Sequence, residues 1–370
     1  MSLNLRTVIL AVPPVLPQIR SELHLNFAQA GAVTSLPVLC LSLAAIPGAL
    51  LSSRFGARRV VGFALLVLAS GAALRILPWQ PAALFAATAL LSVATAASQP
   101  AMAAVLRAWF SNNVERASAV TGNALNMGGL VGAVLTVGML GVGLRWQVTF
   151  IFWAIPVFLA AVLWFRLAPG KSDAHVATPS HLGPLARDWE VWRAAVLFGC
   201  QSVAYFTAST WIPFLVEGRS SGYLAFVLGI YSVATVAPSL FLPLVRVSYA
   251  TSRVFFGAGG ILMVGGGLGL AAAPVEVAWL SAAILGFGSS MVFLGAIAAP
   301  ALLAARDAEV AGYSALMLTG GYLISFVGPV LGGFLVDHTG NLRAPYWAVL
   351  ASGLVVVVLG VTRPRARGLV

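Results

Sequence analysis

Charge is scarce in this chain: of 370 residues, 8% are Asp, Glu, Lys or Arg and 60% are hydrophobic. Soluble domains carry about 25% charged residues, so this composition excludes one. The ten acidic residues and the four histidines all fall at or near the ends of apolar runs. That leaves no carboxylate or imidazole in mid-membrane, the usual equipment of a proton-coupled carrier. The two cysteines, Cys40 and Cys200, sit singly inside apolar runs. They exclude a disulfide framework and read as small buried hydrophobes. Strand-length alternation of apolar and polar residues is missing, which argues against a membrane β-barrel. No Walker loop, H-E-x-x-H or G-x-S-x-G is present. The glycine-rich stretch Gly257 to Gly269 lies within an apolar run with no following Lys, so it reads as helix packing. An enzyme, an ATP-driven pump and a resident cofactor or metal therefore have no support, and a cleavable leader lacks its basic start and A-x-A site.

Long apolar runs are what the chain does have, with a mean hydropathy of +0.97. Twelve can be counted, at about 3–19, 28–52, 60–78, 82–106, 118–141, 146–167, 192–216, 223–245, 253–273, 277–303, 311–336 and 344–362. Each is near the ~20 residues that a transmembrane helix needs. The 38 glycines and 20 prolines are tolerable there, because neighbouring helices re-satisfy freed backbone groups. With a cytoplasmic N-terminus, fifteen Lys and Arg fall on one side of the membrane and five on the other. This positive-inside bias puts both termini in the cytoplasm and explains the net charge of +11 as topology, not nucleic-acid binding. The first run is short for a bilayer crossing, so either its helix is a short one or its natural start lies upstream of Met1, the second being the expectation.

The longest polar stretch, Arg166 to Glu190, holds three prolines and divides the runs six and six. The expected organisation is a bundle over 1–167, a cytoplasmic linker over 168–190 and a second bundle over 191–370. His175 and His181 fall in the linker as solvated side chains, since no further ligands cluster near them. The halves are weakly alike. Pro17 aligns with Pro213, Pro47 with Pro238 and Arg54 with Arg246. Six-plus-six repeats of this kind describe transporters with a site near the midplane. By that offset Arg6 is expected across the pseudo-dyad from Gln201 and Ser202. Gly128-x-x-x-Gly132 and Gly328-x-x-x-Gly332 are surfaces for close helix approach. Ordinary packing and a sliding seam are both open to them.

Arg6 is the one basic residue early in the first run, and an ionisable side chain at depth costs about 2.5–3.5 kcal/mol on insertion scales. It reads either as an anion-binding group or as a side chain snorkelling about 10 Å to the cytoplasmic face. A guanidinium offers a rigid fork of donors suited to a carboxylate-like anion. Asn4 is placed to support such a site. Gln201 and Tyr205, four residues apart, share a helix face. Asn123, Asn126, Tyr322 and Gln99 complete the candidate substrate-binding set, with interhelical hydrogen bonding as the other use of these groups. Ser290 is a weaker candidate. Arg75, beside Pro78 and Trp79, and Trp211 are expected at membrane interfaces, and Arg145 closes a loop.

The segment Ala49 to Arg59, ALLSSRFGARR, resembles the loop between helices two and three of the major facilitator superfamily, with Arg54, Gly56, Arg58 and Arg59 matching. Ser53 stands where that pattern has an acid, and Ala49 where it has a glycine. Stretches from Asn4 to Arg6, Leu16 to Leu25, Ala30 to Cys40, Gly122 to Ala133, Cys200 to Pro213 and Ser314 to Pro329 are similar to the cyanate / 2-nitroimidazole porter branch. The likeness implies an all-α membrane protein of twelve transmembrane helices in two six-helix bundles, in a bacterial inner membrane and as a monomer. It also implies that Arg54, Gly56, Arg58 and Arg59 form a conformational loop, and that the substrate is a small anionic or polar solute. The expected function is a secondary transporter working by alternating access. A multidrug or nitroimidazole-type exporter and a non-transporting receptor are the alternatives; the lack of a buried acid counts against cationic drugs.

Overall fold

The computed structural model describes residues 1–76, 81–110, 113–169, 182–241, 249–303 and 307–362. His175, His181 and Arg246 lie outside them. Every described element is helical. In chain order these are α1 (Ser2–Leu10), α2 (Val12–Glu22), α3 (Phe27–Phe55), α4 (Ala57–Leu74), α5 (Pro81–Trp109), α6 (Val114–Gly141) and α7 (Trp146–Leu167). A short α8 (Leu182–Leu185) precedes α9 (Trp189–Leu215), α10 (Ser221–Phe241), α11 (Tyr249–Ala272), α12 (Ala278–Leu303), α13 (Asp307–Thr339) and α14 (Pro345–Val361). Nine of the described helices are long and apolar enough to cross a membrane. The α1–α2 pair, the 27-residue α9 and the 17-residue α14 bring the segments to the twelve runs of the sequence.

The first run is two helices, not one. The chain breaks at Ala11, just before Pro13 and Pro14, whose nitrogens carry no hydrogen for the carbonyls one turn back. Between α3 and α4 the chain turns at Gly56 with φ of 86°, a left-handed conformation that glycine adopts without steric cost.

The chain forms two compact units. The first comprises Met1–Asn26, Ala32–Thr178 and Arg219–Ala225; the second comprises Phe27–Gly31, Pro179–Gly218 and Phe226–Val370. The first five residues of α3 thus belong to the second unit and the rest of that helix to the first.

The same device closes one helix in each unit. At the start of α4, Arg58 Nε donates to the Ala168 carbonyl at 3.0 Å and Nη2 to the Phe165 carbonyl at 3.2 Å, at the end of α7. At the start of α11, Arg253 Nη2 donates to the Val361 carbonyl at 2.6 Å, the last residue of α14. Cations suit these terminal carbonyls, which no intrahelical N–H reaches. The two arginines are 195 positions apart, within the range of offsets of the aligned proline pairs. Arg58→Ala and Arg253→Ala are each expected to cost about 1 kcal/mol. A thermal-unfolding measurement on the two single variants and the double should find the losses additive, because the sites share no partner.

Arg193 and Glu190, at the start of α9, form a buried ion pair at 2.7 Å. Arg193 also donates to the Leu359 and Thr362 carbonyls, and Tyr313 Oη donates to the Glu190 carbonyl at 2.7 Å. Glu190 therefore lies at a helix end, as expected from its position, but inside the protein instead of in solvent.

Candidate functional site

In the first unit, α1 carries Asn4 and Arg6 and lies against α6 through glycines. A side chain on Gly128 would collide with the Leu3 carbonyl, and a Cβ on Gly132 would stand 2.7 Å from the Thr7 carbonyl oxygen. Thr7 Oγ1 lies 2.8 Å from the Leu3 oxygen and 3.0 Å from the Gly128 oxygen, tying the two helices together where they nearly touch. Arg6, half-buried, runs beside Gly129, where a Cβ would lie 3.7 Å from its Cδ and 3.8 Å from its Nε. The small-residue face of α6 thus leaves room for the Arg6 side chain to run along it. Gly328 and Gly332 do the equivalent work in the second unit, with α13 against Val203, Thr207 and Trp211 of α9. Both glycine pairs pack helices of their own unit, the ordinary reading of such motifs.

Asn4 Nδ2 donates to the Pro156 carbonyl of α7 at 2.9 Å, so this side chain braces α1. Gln99 lies exposed on α5. Asn123 and Asn126 lie on α6, and their side chains are outside the described residues. In the second unit, Gln201 is buried, its Nε2 donating to Ser289 Oγ at 2.9 Å while its Oε1 accepts from Ser202 Oγ at 3.0 Å. A carboxamide has two N–H donors and two carbonyl lone pairs, so this network uses one of each. Tyr205 is half-buried and stacks on Tyr231 at 5.9 Å between ring centroids and 27° between planes; Tyr231 Oη donates to the Tyr205 carbonyl at 3.0 Å. Tyr322 meets Phe198 edge-on at 5.1 Å. Asn4, Arg6 and Thr7 are therefore carried on α1, and a band of amide, hydroxyl and aromatic groups on α9, α10, α12 and α13.

The expected loop is the single residue Gly56: Arg54 ends α3, exposed and 5.5 Å from the Phe55 ring, while Arg59, exposed, and Arg58, the cap of α7 described above, lie in the first turn of α4. Arg145 pairs with Glu22 at 3.4 Å, both exposed. Among the described residues no three of His, Cys, Asp and Glu stand close enough together to hold a metal ion.

Two residues are not where their sequence positions put them. Arg75 does not reach the interface: it is 1% exposed, with Nε donating to Thr88 Oγ1 at 3.2 Å, Nη1 to the Val8 carbonyl at 3.0 Å, and the guanidinium 5.4 Å from the Phe150 ring centroid. It turns back into the bundle to meet the carbonyl beside the α1–α2 break, and its Nη2 has no hydrogen-bond partner. Trp211 is no interfacial anchor either, being 0% exposed against Phe27 and Phe214. Ser289 and Tyr231 were not among the expected polar groups; the only signal for Tyr231 was a tyrosine inside an apolar run.

An all-helical chain built from two units, each with its own polar groups in membrane-length helices, is the framework of a multi-pass carrier. The Major Facilitator Superfamily model matches residues 5–299, and the chain belongs to that family. It is 26% identical over 367 residues to the 2-nitroimidazole transporter of Escherichia coli (strain K12), covering 98% of this chain and 93% of that one. It is 27% identical to the cyanate transport protein CynX of the same organism, covering 96% and 94%. Among solved structures, a bacterial homolog of the human lysosomal transporter Spinster, inward-facing and occupied, superposes with a TM-score of 0.76 at 12% identity, over 97% of this chain and 93% of that one. The protein is thus a multi-pass membrane protein with the major facilitator fold.

Proposed function

We propose that the protein is a secondary transporter for a small anion or polar weak acid, in the range of cyanate and small organic anions. Arg6 is the principal anion-binding group, and alternating access comes from movement of 1–167 against 191–362. The observation that carries this reading is the seating of a guanidinium, Arg6, on α1 beside Gly129 of α6 in the first apolar segment. Tyr205, Tyr322, the remaining valences of Gln201, and Gln99, Asn123 and Asn126 supply neutral contacts to the solute. Asn4 acts through α1. Arg54, Gly56, Arg58 and Arg59 form the junction of α3 and α4 at which the first unit changes state. Both termini face the cytoplasm of a bacterial inner membrane, as the basic residues indicate, and the carrier works as a monomer.

The energetics constrain the transported species. An inward-negative potential opposes anion entry by about 2.3 kcal/mol per charge per 100 mV. A bare anion would then be driven outwards, whereas a weak acid carried with its proton would not feel the potential. A nitroimidazole-type solute is the second reading, favoured by the stacked Tyr205–Tyr231 pair, one of whose rings is half-exposed.

Purified protein in liposomes, offered cyanate, small carboxylates or 2-nitroimidazole, tests both. Saturable uptake of an anion is expected, with its equilibrium accumulation falling about 50-fold at 100 mV inside-negative if it moves as the anion. Uptake indifferent to potential marks the protonated acid, and saturable uptake of 2-nitroimidazole alone selects the second reading. Absence of saturable flux for every solute sinks both and leaves a receptor.

A further inference from the structure

The first turn of α3 is held in the second unit by a side chain from the far end of the sequence. Asp337, two residues from the end of α13, accepts from the Phe27 N–H through one carboxylate oxygen and from the Ala28 N–H through the other, each at 2.9 Å. These are two of the N–H groups that a helix start leaves without an internal acceptor, and the positive end of the helix dipole favours an anion there. Four residues before Asp337, on the same face of α13, Gly333 lets the chains touch: a Cβ there would lie 2.6 Å from the Ala28 Cα. A turn earlier, Pro329 and Val330 meet Gly31, whose Cβ would stand 3.2 Å from the Val330 Cα. The Phe27 ring completes the contact, 6.0 Å from Trp211 and 5.7 Å, edge-on, from Phe214.

At Gly31 and Gly333 this contact is backbone against backbone, and at Phe27 it is a cluster of aromatic rings. A directional component is the Asp337 carboxylate on two N–H groups, exposed to solvent, which can be broken and remade by a side-chain movement. The rest of α3 belongs to the first unit. We propose that Asp337 is a catch holding the first turn of α3 in the second unit, and that the carrier must release it once in every transport cycle. The second half of this statement rests on the transport reading above; the first half does not.

The test uses full-length protein with Cys40→Ala and a reporter, Ala30→Cys, placed at a 0% exposed position in that turn. Cys200, buried in α9, is kept as an internal control. Labelling by a membrane-impermeant maleimide is followed in detergent and in liposomes. Asp337→Asn, which removes the charge, and Gly333→Ala, which wedges the backbones apart, are both expected to raise the Ala30→Cys rate about 10-fold with Cys200 unchanged. Asp337→Glu should stay near the parent rate. Labelling that does not rise, or that rises equally at Cys200, overturns the catch, since the second result means general loosening. In the flux assay, Asp337→Asn is expected to alter turnover several-fold with KM within two-fold. If the reporter opens yet turnover is unmoved, release is no part of the cycle. A parent protein without flux refutes the transport reading, and the labelling result still decides the catch.

Discussion

Replacing Arg6 by alanine is expected to abolish ligand-dependent stabilisation of the purified protein. A ligand that binds only the folded state contributes RT ln(1 + [L]/Kd), about 2.7 kcal/mol at a hundred times Kd. A best-binding small anion should therefore raise the unfolding temperature of the parent protein measurably and that of Arg6→Ala not at all. Hydrogen bonds to a charged group are worth about 1.5–3 kcal/mol each, so saturable uptake should fall about 10- to 100-fold. Arg6→Lys should restore only part of either signal, because an ammonium supplies the charge without the planar fork. Stabilisation by the anion that survives Arg6→Ala unchanged would remove Arg6 from the site.

The second large effect lies on the opposite side of the same contact. Gly128→Val places a branched side chain against the Leu3 carbonyl, a backbone atom that cannot rotate away. The helices must part, which loosens the Thr7 hydrogen bond and displaces α1 together with Arg6. Overpacking of this kind costs about 1–3 kcal/mol, and more when the obstacle is backbone. Thermal unfolding of Gly128→Val should show that loss, and anion-induced stabilisation should vanish even though Arg6 is intact. Gly138→Ala on the same helix is the control. Nothing lies within 4 Å of its added carbon, so unfolding should be unchanged or slightly later, as expected for Gly to Ala in a helix interior. Equal losses at both glycines would mean that helix propensity, not the α1 contact, sets the effect.

Much of the architecture could be read from residue order. Each apolar run corresponds to a helix or, for the first, a helix pair, because a segment in hydrocarbon must satisfy its own backbone and has few ways to do so. The break at Ala11 was written in the Pro13-Pro14 pair, yet run length concealed it. The likeness of the halves could be seen in aligned prolines. It is corroborated by Arg58 and Arg253, which cap the last helix of each half. Less of the candidate site was legible. Asn4 and Gln201 are polar at plausible depths, but one braces α7 and the other is knitted to Ser289, and no periodicity names such a partner.

Composition and order alone determined that this chain crosses a membrane many times, that a polar stretch divides its apolar runs six and six, and that Arg6 stands in the first of them. These properties follow from transfer free energies and helix geometry, which act residue by residue. Only the tertiary structure decided where Arg75, Trp211 and Asp337 spend their polar and aromatic groups. Arg75 and Asp337 sit near loops, where local rules offer water or headgroups, and each instead meets a backbone group from a distant segment. Partners far apart in sequence are chosen by packing, and packing is a property of the assembled helices.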